Sequence, residues 1–395
     1  METVGVSAPR ASLWQGRRVL VTGQTGFKGS WLCLWLERLG ADVHALALPP
    51  EDPALYEGLA PWTGQTHRFG DIRDAATVRR AVADAAPEVV FHLAAQALVR
   101  RSYADPAGTY ATNVMGTVHL LDAIAGQAGV RAVVVATTDK VYANPHEAGA
   151  ETRGAGLGAR PFAETDPLGG TDPYSASKAA TELVCRSYRD TLLARSGAAL
   201  ATARAGNVVG GGDFASDRLV PDFVRALRAK APIALRYPEA VRPWQHVLEP
   251  LAGYLALAEA LIEHPGGVPP ALNFGPSPHE SASVAQVADA LAGAFGVSPI
   301  WHRAEGVHPP EAPHLRLDST LAAHVLGWRA RLSLAQTLGW TADWYGAQAK
   351  GRDARPLCHA QIDQYSALLN APVGPSAAPG QPSAAVTCAI AEALA

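Results

Sequence analysis

The sequence predicts an α/β fold, a doubly wound parallel sheet followed by a smaller and looser C-terminal lobe. Three observations predict it. Over the first ~200 residues short apolar runs alternate with longer amphipathic ones, the rhythm of βα units. A glycine-rich turn joins the first apolar run to the helix pattern behind it. After Asn207 the elements shorten and proline becomes more frequent, as expected of a lobe built to hold a ligand.

The elements follow in order. Arg18–Thr22 reads as the first strand and Phe27–Leu39 as a helix. Asp42–Ala47 reads as the second strand, Thr66–Gly70 as a weaker third, Glu88–Leu93 as the fourth and Arg131–Ala136 as the fifth. Thr112–Gln127 carries helical periodicity between the last two. Pro173–Ala194 reads as a long helix with proline near its start, where the missing N–H costs nothing. Ala199–Ala205 is the sixth strand. Beyond it, Val220–Ala229, Val247–Glu263 and Ser283–Phe295 read as helices and Leu272–Phe274 as a short strand. The predicted organisation is an extension over 1–15, a dinucleotide-binding domain over 16–206, a substrate lobe over 207–346 and a C-terminal segment over 347–395. Asn144–Arg160 reads as a surface loop. From about Ala371 onward Ala, Pro, Ser and Gly dominate, the composition of a disordered tail.

Composition narrows the function classes. The chain has 395 residues, 48 % of them hydrophobic, and a net charge of -3. No long Lys/Arg block is present, which argues against a nucleic-acid partner. No apolar run is long enough to span a membrane, and the first residues lack the apolar core of a signal peptide. Cys33, Cys185, Cys358 and Cys388 are scattered and form no CxxC pair, so reduced thiols in a cytoplasmic protein are expected, with no metal site.

Two constellations carry chemistry. The first strand runs into Gly23-Gln24-Thr25-Gly26-Phe27-Lys28-Gly29, a GxxGxxG spacing. Gly23 turns the chain off the strand, Gly26 lets backbone approach a pyrophosphate, and Gly29 lets the helix pack closely on the sheet. Set between a strand and a helix, this is the fingerprint of a Rossmann-type dinucleotide site. The second strand ends Ala47-Leu48-Pro49-Pro50 with no acid for the ribose hydroxyls and no arginine for a 2′-phosphate; the lack of a cation favours NAD over NADP. In the second constellation, Tyr174 and Lys178 lie four residues apart and therefore on one helix face. A cation beside a phenol lowers its pKa and makes it a usable base. Thr138, Asp139 and Lys140 end the fifth strand, and the carboxyl ends of parallel strands face the ligand crevice. Asp139 is a candidate acid and Lys140 a candidate base. His92, inside the fourth strand, reads as structural.

These residues carry a resemblance. TGxTGFKGS, DIRD at Asp71–Asp74, FHLAAQ at Phe91–Gln96, the YxxxK helix and the Thr-Asp-Lys strand end together resemble the extended short-chain dehydrogenase/reductases that modify nucleotide sugars. Thr22–Trp31, Leu98–Tyr103, Tyr110–Thr117, Arg204–Asp213 and Arg242–Pro250 are similar to the branch of that family that dehydrates CDP-glucose at C4 and C6. The resemblance runs from about Arg18 to Tyr345. It implies NAD as cofactor, held by Gly23, Thr25, Gly26, Phe27, Lys28 and Gly29 at the pyrophosphate. Asp71 and Ile72 would flank the adenine, and Leu93, Ala94 and Ala95 would run beneath the nicotinamide ribose, with Asn113, Tyr174 and Lys178 supporting it. It implies catalysis by Thr138, Asp139, Lys140, Tyr174 and Lys178. It implies a nucleotide sugar, CDP-glucose, held by Gln96, Arg100, Thr138, Asn207, Arg218 and Arg242, and a homodimer or dimer of dimers. An arginine suits the diphosphate, because its planar fork matches phosphate oxygens. The competing readings are a 4-epimerase of the same superfamily and a non-catalytic NAD-binding protein.

Overall fold

A computed structural model describes residues 8–144, 160–277, 280–298, 301–306, 308, 311–312 and 314–371. The predicted loop after Asn144 and the predicted disordered tail lie almost wholly outside these residues, as does Cys388.

Seven parallel strands form the central sheet. They are β1 (Arg18–Thr22), β2 (Asp42–Ala47), β3 (Thr66–Phe69), β4 (Val89–His92), β5 (Ala132–Ala136), β6 (Ala199–Ala205) and β7 (Ala271–Phe274), in the spatial order 7-6-5-4-1-2-3. The order reverses between β1 and β4, which pair directly, Thr22 opposite His92. A ligand crevice opens at such a switch point, outside the carboxyl ends of the strands.

Alternation along the strands explains why both faces are covered. Successive side chains point to opposite faces. Val19 and Val21 join Val89, Phe91 and Val134 in one core, whereas Leu20, Val90, Val133 and Val135 belong to a second core on the other side. Strands buried on both faces need apolar residues at every position, and β5 reads Ala-Val-Val-Val-Ala, buried throughout. The helices α1 (Phe27–Arg38) and, further along, the long apolar Leu248–Glu263 cover the first face. Those named α2 (Ala75–Ala85), α3 (Gly116–Ala125) and α4 (Pro173–Tyr188) cover the second. The amphipathic Leu219–Arg228 is α5, Leu248–Glu263 is α6, Val284–Phe295 is α7, Leu334–Ala349 is α8 and Ala354–Asn370 is α9.

Several elements differ from the sequence expectation. The helix expected over Thr112–Gln127 begins as a π-turn, Ala111–Met115, before α3. The helix expected to Ala194 is α-helical only to Tyr188 and continues as a π-turn over Arg189–Leu193. The seventh strand of the sheet comes from the expected substrate lobe, so one sheet spans both halves of the chain. The N-terminal extension is anchored: Trp14 is buried and donates from Nε1 to Glu259 at 2.7 Å. Helix α9 was not legible in the sequence. It docks through Tyr365, whose hydroxyl donates to the buried Glu249 at 2.5 Å, and through Cys358 and Ile362. Cys33, Cys185 and Cys358 are buried free thiols.

Candidate active site

The glycine turn works by close approach. Gly23 has φ +86, and a Cβ there would lie 2.7 Å from the Ala94 nitrogen; a Cβ on Gly29 would lie 2.0 Å from the Gly23 carbonyl oxygen. Both positions therefore require glycine for α1 and β4 to sit as they do. Gly26 is the N-cap of α1 and offers no side chain to its first N–H groups. Those donors are left for a ligand, and an anion such as a pyrophosphate satisfies both the donors and the helix dipole. Ala94 N–H donates to the Thr22 hydroxyl at 3.3 Å, which holds Leu93, Ala94 and Ala95 along the same crevice. Thr25 donates its hydroxyl to the Leu48 carbonyl at 3.0 Å. Asp71 accepts from the backbone and guanidinium of Arg73, and the neighbouring Ile72 is buried under Gly116. This crevice fits a dinucleotide: an uncapped helix start, glycines where backbones must touch, and a cradle at the switch point.

Asn113 sits in the π-turn before α3, a geometry common at functional sites. Its Oδ1 accepts from the Gln96 N–H at 2.8 Å, and its Nδ2 donates to the Gln96 carbonyl at 3.0 Å and to the Ser177 hydroxyl at 2.9 Å. It thereby ties the loop after β4 to α4. That helix starts with a capping box between Asp172 and Ser175 and has Pro173 at its first turn. Tyr174 and Lys178 are both buried on it. Lys178 Nζ donates to the Ala136 carbonyl at 3.0 Å.

A cavity of ≈ 320 Å³ opens beside these groups. Thr138, Asp139, Lys140, Tyr174, Asn207, Arg218 and Arg242 all line it. Thr138 caps the short 3-10 turn Asp139–Val141 and donates to Asp139 Oδ1 at 3.0 Å. Asp139 is buried, and its Oδ2 has no partner. Burial pushes its carboxyl up from the ordinary range, with Lys140 the chief opposing charge. Arg242 is buried and donates to Glu311 at 3.1 Å, so it is no surface cation lying over Trp244. Arg218 donates to Asp213 at 2.9 Å.

The electrostatics correct one expectation. The phenol of Tyr174 was expected to be lowered by Lys178. In the protein alone burial pushes it up to about 12, and a hydrogen bond with Thr138 is the largest influence in the opposite direction. Lys178 is itself pulled down to about 8 by burial. Desolvation dominates for both groups because both are buried, and Lys178 is not among the main influences on the phenol.

Two further residues make contacts that the sequence did not announce. Lys28, expected at the cofactor, lines the cavity, and its Nζ donates to the buried Tyr254 hydroxyl at 3.4 Å. Burial, reinforced by Lys178 and Arg218, pulls it down to about 7. Gln96, expected at the substrate, does not line the cavity. Its amide donates to the Leu98 carbonyl at 3.1 Å and to Thr109 at 3.0 Å, and its oxygen accepts from the Leu98 N–H. Arg100 lines the rim but is paired with Asp217 at 2.6 Å. Sequence reasoning missed Asp217, Arg236 and Glu311, which complete a chain of alternating charges from Arg100 to Arg242. No motif spacing announces them, because they meet only in the folded chain.

Comparison with known proteins agrees with this geometry. Residues 19–269 match the model of the NAD dependent epimerase/dehydratase family. The chain is 41% identical over 360 residues to CDP-glucose 4,6-dehydratase of Salmonella typhimurium, covering 90% of this chain and 97% of that one. It is 31% identical to dTDP-glucose 4,6-dehydratase of Streptomyces antibioticus, covering 91% and 98%. Among solved structures, a double mutant of dTDP-glucose 4,6-dehydratase from Streptomyces venezuelae with NAD bound superposes with TM-score 0.72 at 26% identity, covering 86% of this chain and 99% of that one. UDP-glucose 4-epimerase of Thermus thermophilus in complex with NAD gives 0.69 at 28%, covering 83% and 98%. With its glycine turn, its tyrosine–lysine helix and a match over most of its length, the chain belongs to the NAD dependent epimerase/dehydratase family.

Proposed function

We propose that this protein is a CDP-glucose 4,6-dehydratase, a lyase that converts CDP-D-glucose to CDP-4-dehydro-6-deoxy-D-glucose and water with NAD as its cofactor. The observation that carries the reading is the Thr138–Asp139–Lys140 turn lining one cavity with Tyr174, which equips the site for elimination as well as oxidation. The near full-length likeness to the Salmonella enzyme supports the same substrate.

Gly23, Thr25, Gly26, Phe27 and Gly29 would hold the cofactor's pyrophosphate, Asp71 and Ile72 its adenine, and Leu93, Ala94, Ala95 and Lys178 its nicotinamide ribose. When bound, NAD supplies a hydride acceptor at C4 of the hexose that later serves as hydride donor at C6. Tyr174 takes the C4 hydroxyl proton, and Lys178 stabilises the phenolate. Thr138, hydrogen-bonded to Tyr174, orients that hydroxyl. The C4 ketone acidifies the C5 proton, which Lys140 removes, alone or sharing the task with Asp139, and a proton returns to C5 from the same group when C6 is reduced. Asp139 protonates the departing C6 hydroxyl; burial, which pushes its carboxyl up, favours the protonated form that this role needs. Asn207, Arg218 and Arg242 hold the diphosphate, and Asn113 positions the loop under the sugar. The protein's contribution is alignment and exclusion of water.

The domain division at residue 207 belongs to the same reading, with the cofactor on the first part and the substrate on the second. A homodimer is proposed through the outer faces of α4 and the π-turn beside it, where Tyr110, Met115 and Leu183 are exposed. A cytoplasmic place in deoxysugar synthesis for surface polysaccharide follows from the substrate. Among the described residues no helix is long and apolar enough to cross a membrane.

The test is incubation with NAD and CDP-, dTDP-, UDP- and GDP-glucose, read by mass spectrometry. Loss of one water from CDP-glucose is expected. A C4 epimer with no loss of mass would favour the 4-epimerase reading.

A further inference from the structure

Cytosine differs from uracil and thymine at one decisive place: it carries an amino donor at N4 where they carry the acceptor O4. An enzyme that prefers CDP-glucose therefore needs an acceptor at that place, and a carboxylate there repels the lone pairs of O4. Val220, Pro221, Ile233 and Leu235 line the same cavity as Tyr174, Arg218 and Arg242. They form an apolar slot between the start of α5 and the strand Ile233–Leu235, suited to a flat ring.

Besides Asp139, four carboxylates line the cavity. Asp213 has both oxygens engaged, Oδ1 by the Ala215 N–H and Oδ2 by Arg218. Glu311 has both oxygens engaged, Oε2 by Arg242 and Oε1 by Arg236. Asp217 is held by two arginines, Arg100 and Arg236, which share its Oδ1. Asp222 stands next to Pro221 in the first turn of α5 and is half-buried. Its Oδ1 pairs with Arg225 one turn along, and its Oδ2 is left over. Burial is the largest influence on its carboxyl and pushes it up, so it is partly stripped of water before any ligand arrives.

We propose that Asp222 is the residue that reads the base, accepting a hydrogen bond from the cytosine N4 amino group through its free oxygen while Val220, Pro221 and Leu235 enclose the ring. This rests on the reading of the substrate as a CDP-hexose. Asp222 is a specificity-determining residue and touches none of the reacting atoms. A lost hydrogen bond to a charged acceptor corresponds to a factor on the order of ten or more in affinity.

The experiment measures kcat and KM of the NAD-loaded wild type, Asp222→Asn and Asp217→Asn with CDP-glucose and UDP-glucose, together with calorimetric binding of CDP and UDP, which needs no turnover. Asparagine keeps the size but can turn its NH2 toward O4. Asp222→Asn is expected to lose about tenfold or more of the preference for cytidine, in KM and in the Kd ratio, with kcat on CDP-glucose within about twofold. Asp217→Asn is expected to keep the preference. Unchanged CDP-to-UDP ratios in Asp222→Asn, or a loss confined to Asp217→Asn, would overturn the assignment. A wild type that binds CDP no better than UDP would instead refute the substrate reading beneath it.

Discussion

Lys178 Nζ donates to the carbonyl oxygen of Ala136, the last residue of β5, at 3.0 Å. Helix α4 is thus pinned by its own lysine to the strand that carries the Thr138–Asp139–Lys140 turn. The same ammonium is buried and pulled down to about 8. A base with a depressed folded pKa contributes stability above its unfolded value near 10.5, and that contribution is lost as pH falls through 8. Lys178→Met removes the buried charge. It is expected to be more stable than wild type at pH 7 by about 2 kcal/mol after allowing for the lost hydrogen bond, with no such advantage near pH 10.5. Its activity should fall by about 10²–10⁴. Urea melts at several pH values and steady-state rates check both.

Asp139 shows a related conflict between stability and activity. Its Oδ2 is buried without a partner. Asp139→Asn removes a buried carboxyl oxygen that has no partner and should raise stability by about 1 kcal/mol. Dehydration should fall by about 10² or more, because the C6 hydroxyl loses its proton donor. Lys140→Ala should also lose dehydration and should exchange no C5 proton with deuterated solvent. Full dehydratase activity in Lys140→Ala would remove Lys140 from the mechanism.

Glu249 is buried on α6 and accepts from the Arg331 and Leu332 N–H groups and the Tyr365 hydroxyl. Burial raises its carboxyl from 4.5 to about 7. A raised acid contributes stability below 4.5 that is lost as pH climbs through 7. Glu249→Gln keeps an acceptor for both N–H groups and turns a donor toward Tyr365. Melting temperatures of wild type should fall relative to Glu249→Gln as pH rises from about 5 to about 8. Parallel curves would show that the carboxyl does not change its proton in this range.

Gly29→Ala places a methyl 2.0 Å from the Gly23 carbonyl. The clash is with backbone, so α1 or the turn must move. A stability loss of about 3 kcal/mol or more and loss of cofactor retention after gel filtration are expected. Gly266→Ala, where nothing lies within 4 Å, is the control and should be neutral.

Much of the fold was legible because parallel strands buried on both faces are continuous apolar runs, as β1 and β5 are. The edge strand β3, in which no residue is fully buried, gave a weaker signal for the same reason. Helix α2 was missed, although Asp74 caps it. Helix α9 was missed because its apolar positions are few and its docking depends on Glu249, a residue ~100 positions away whose partnership no periodicity encodes. At the site, the glycine turn and the Tyr174–Lys178 face were readable because their geometry is local. The hydrogen bond of Lys28 to Tyr254 was not readable, because the partner lies 226 positions away in the sequence. Asp217, Asp222, Arg236 and Glu311 come from separate segments and meet only through tertiary packing.

The most direct test of the account uses CDP-glucose carrying deuterium at C4, incubated with the NAD-loaded enzyme. The account predicts loss of one water and recovery of the deuterium at C6 of the 4-dehydro-6-deoxy product. Deuterium retained at C4 of an epimerised hexose, with no water lost, would contradict it.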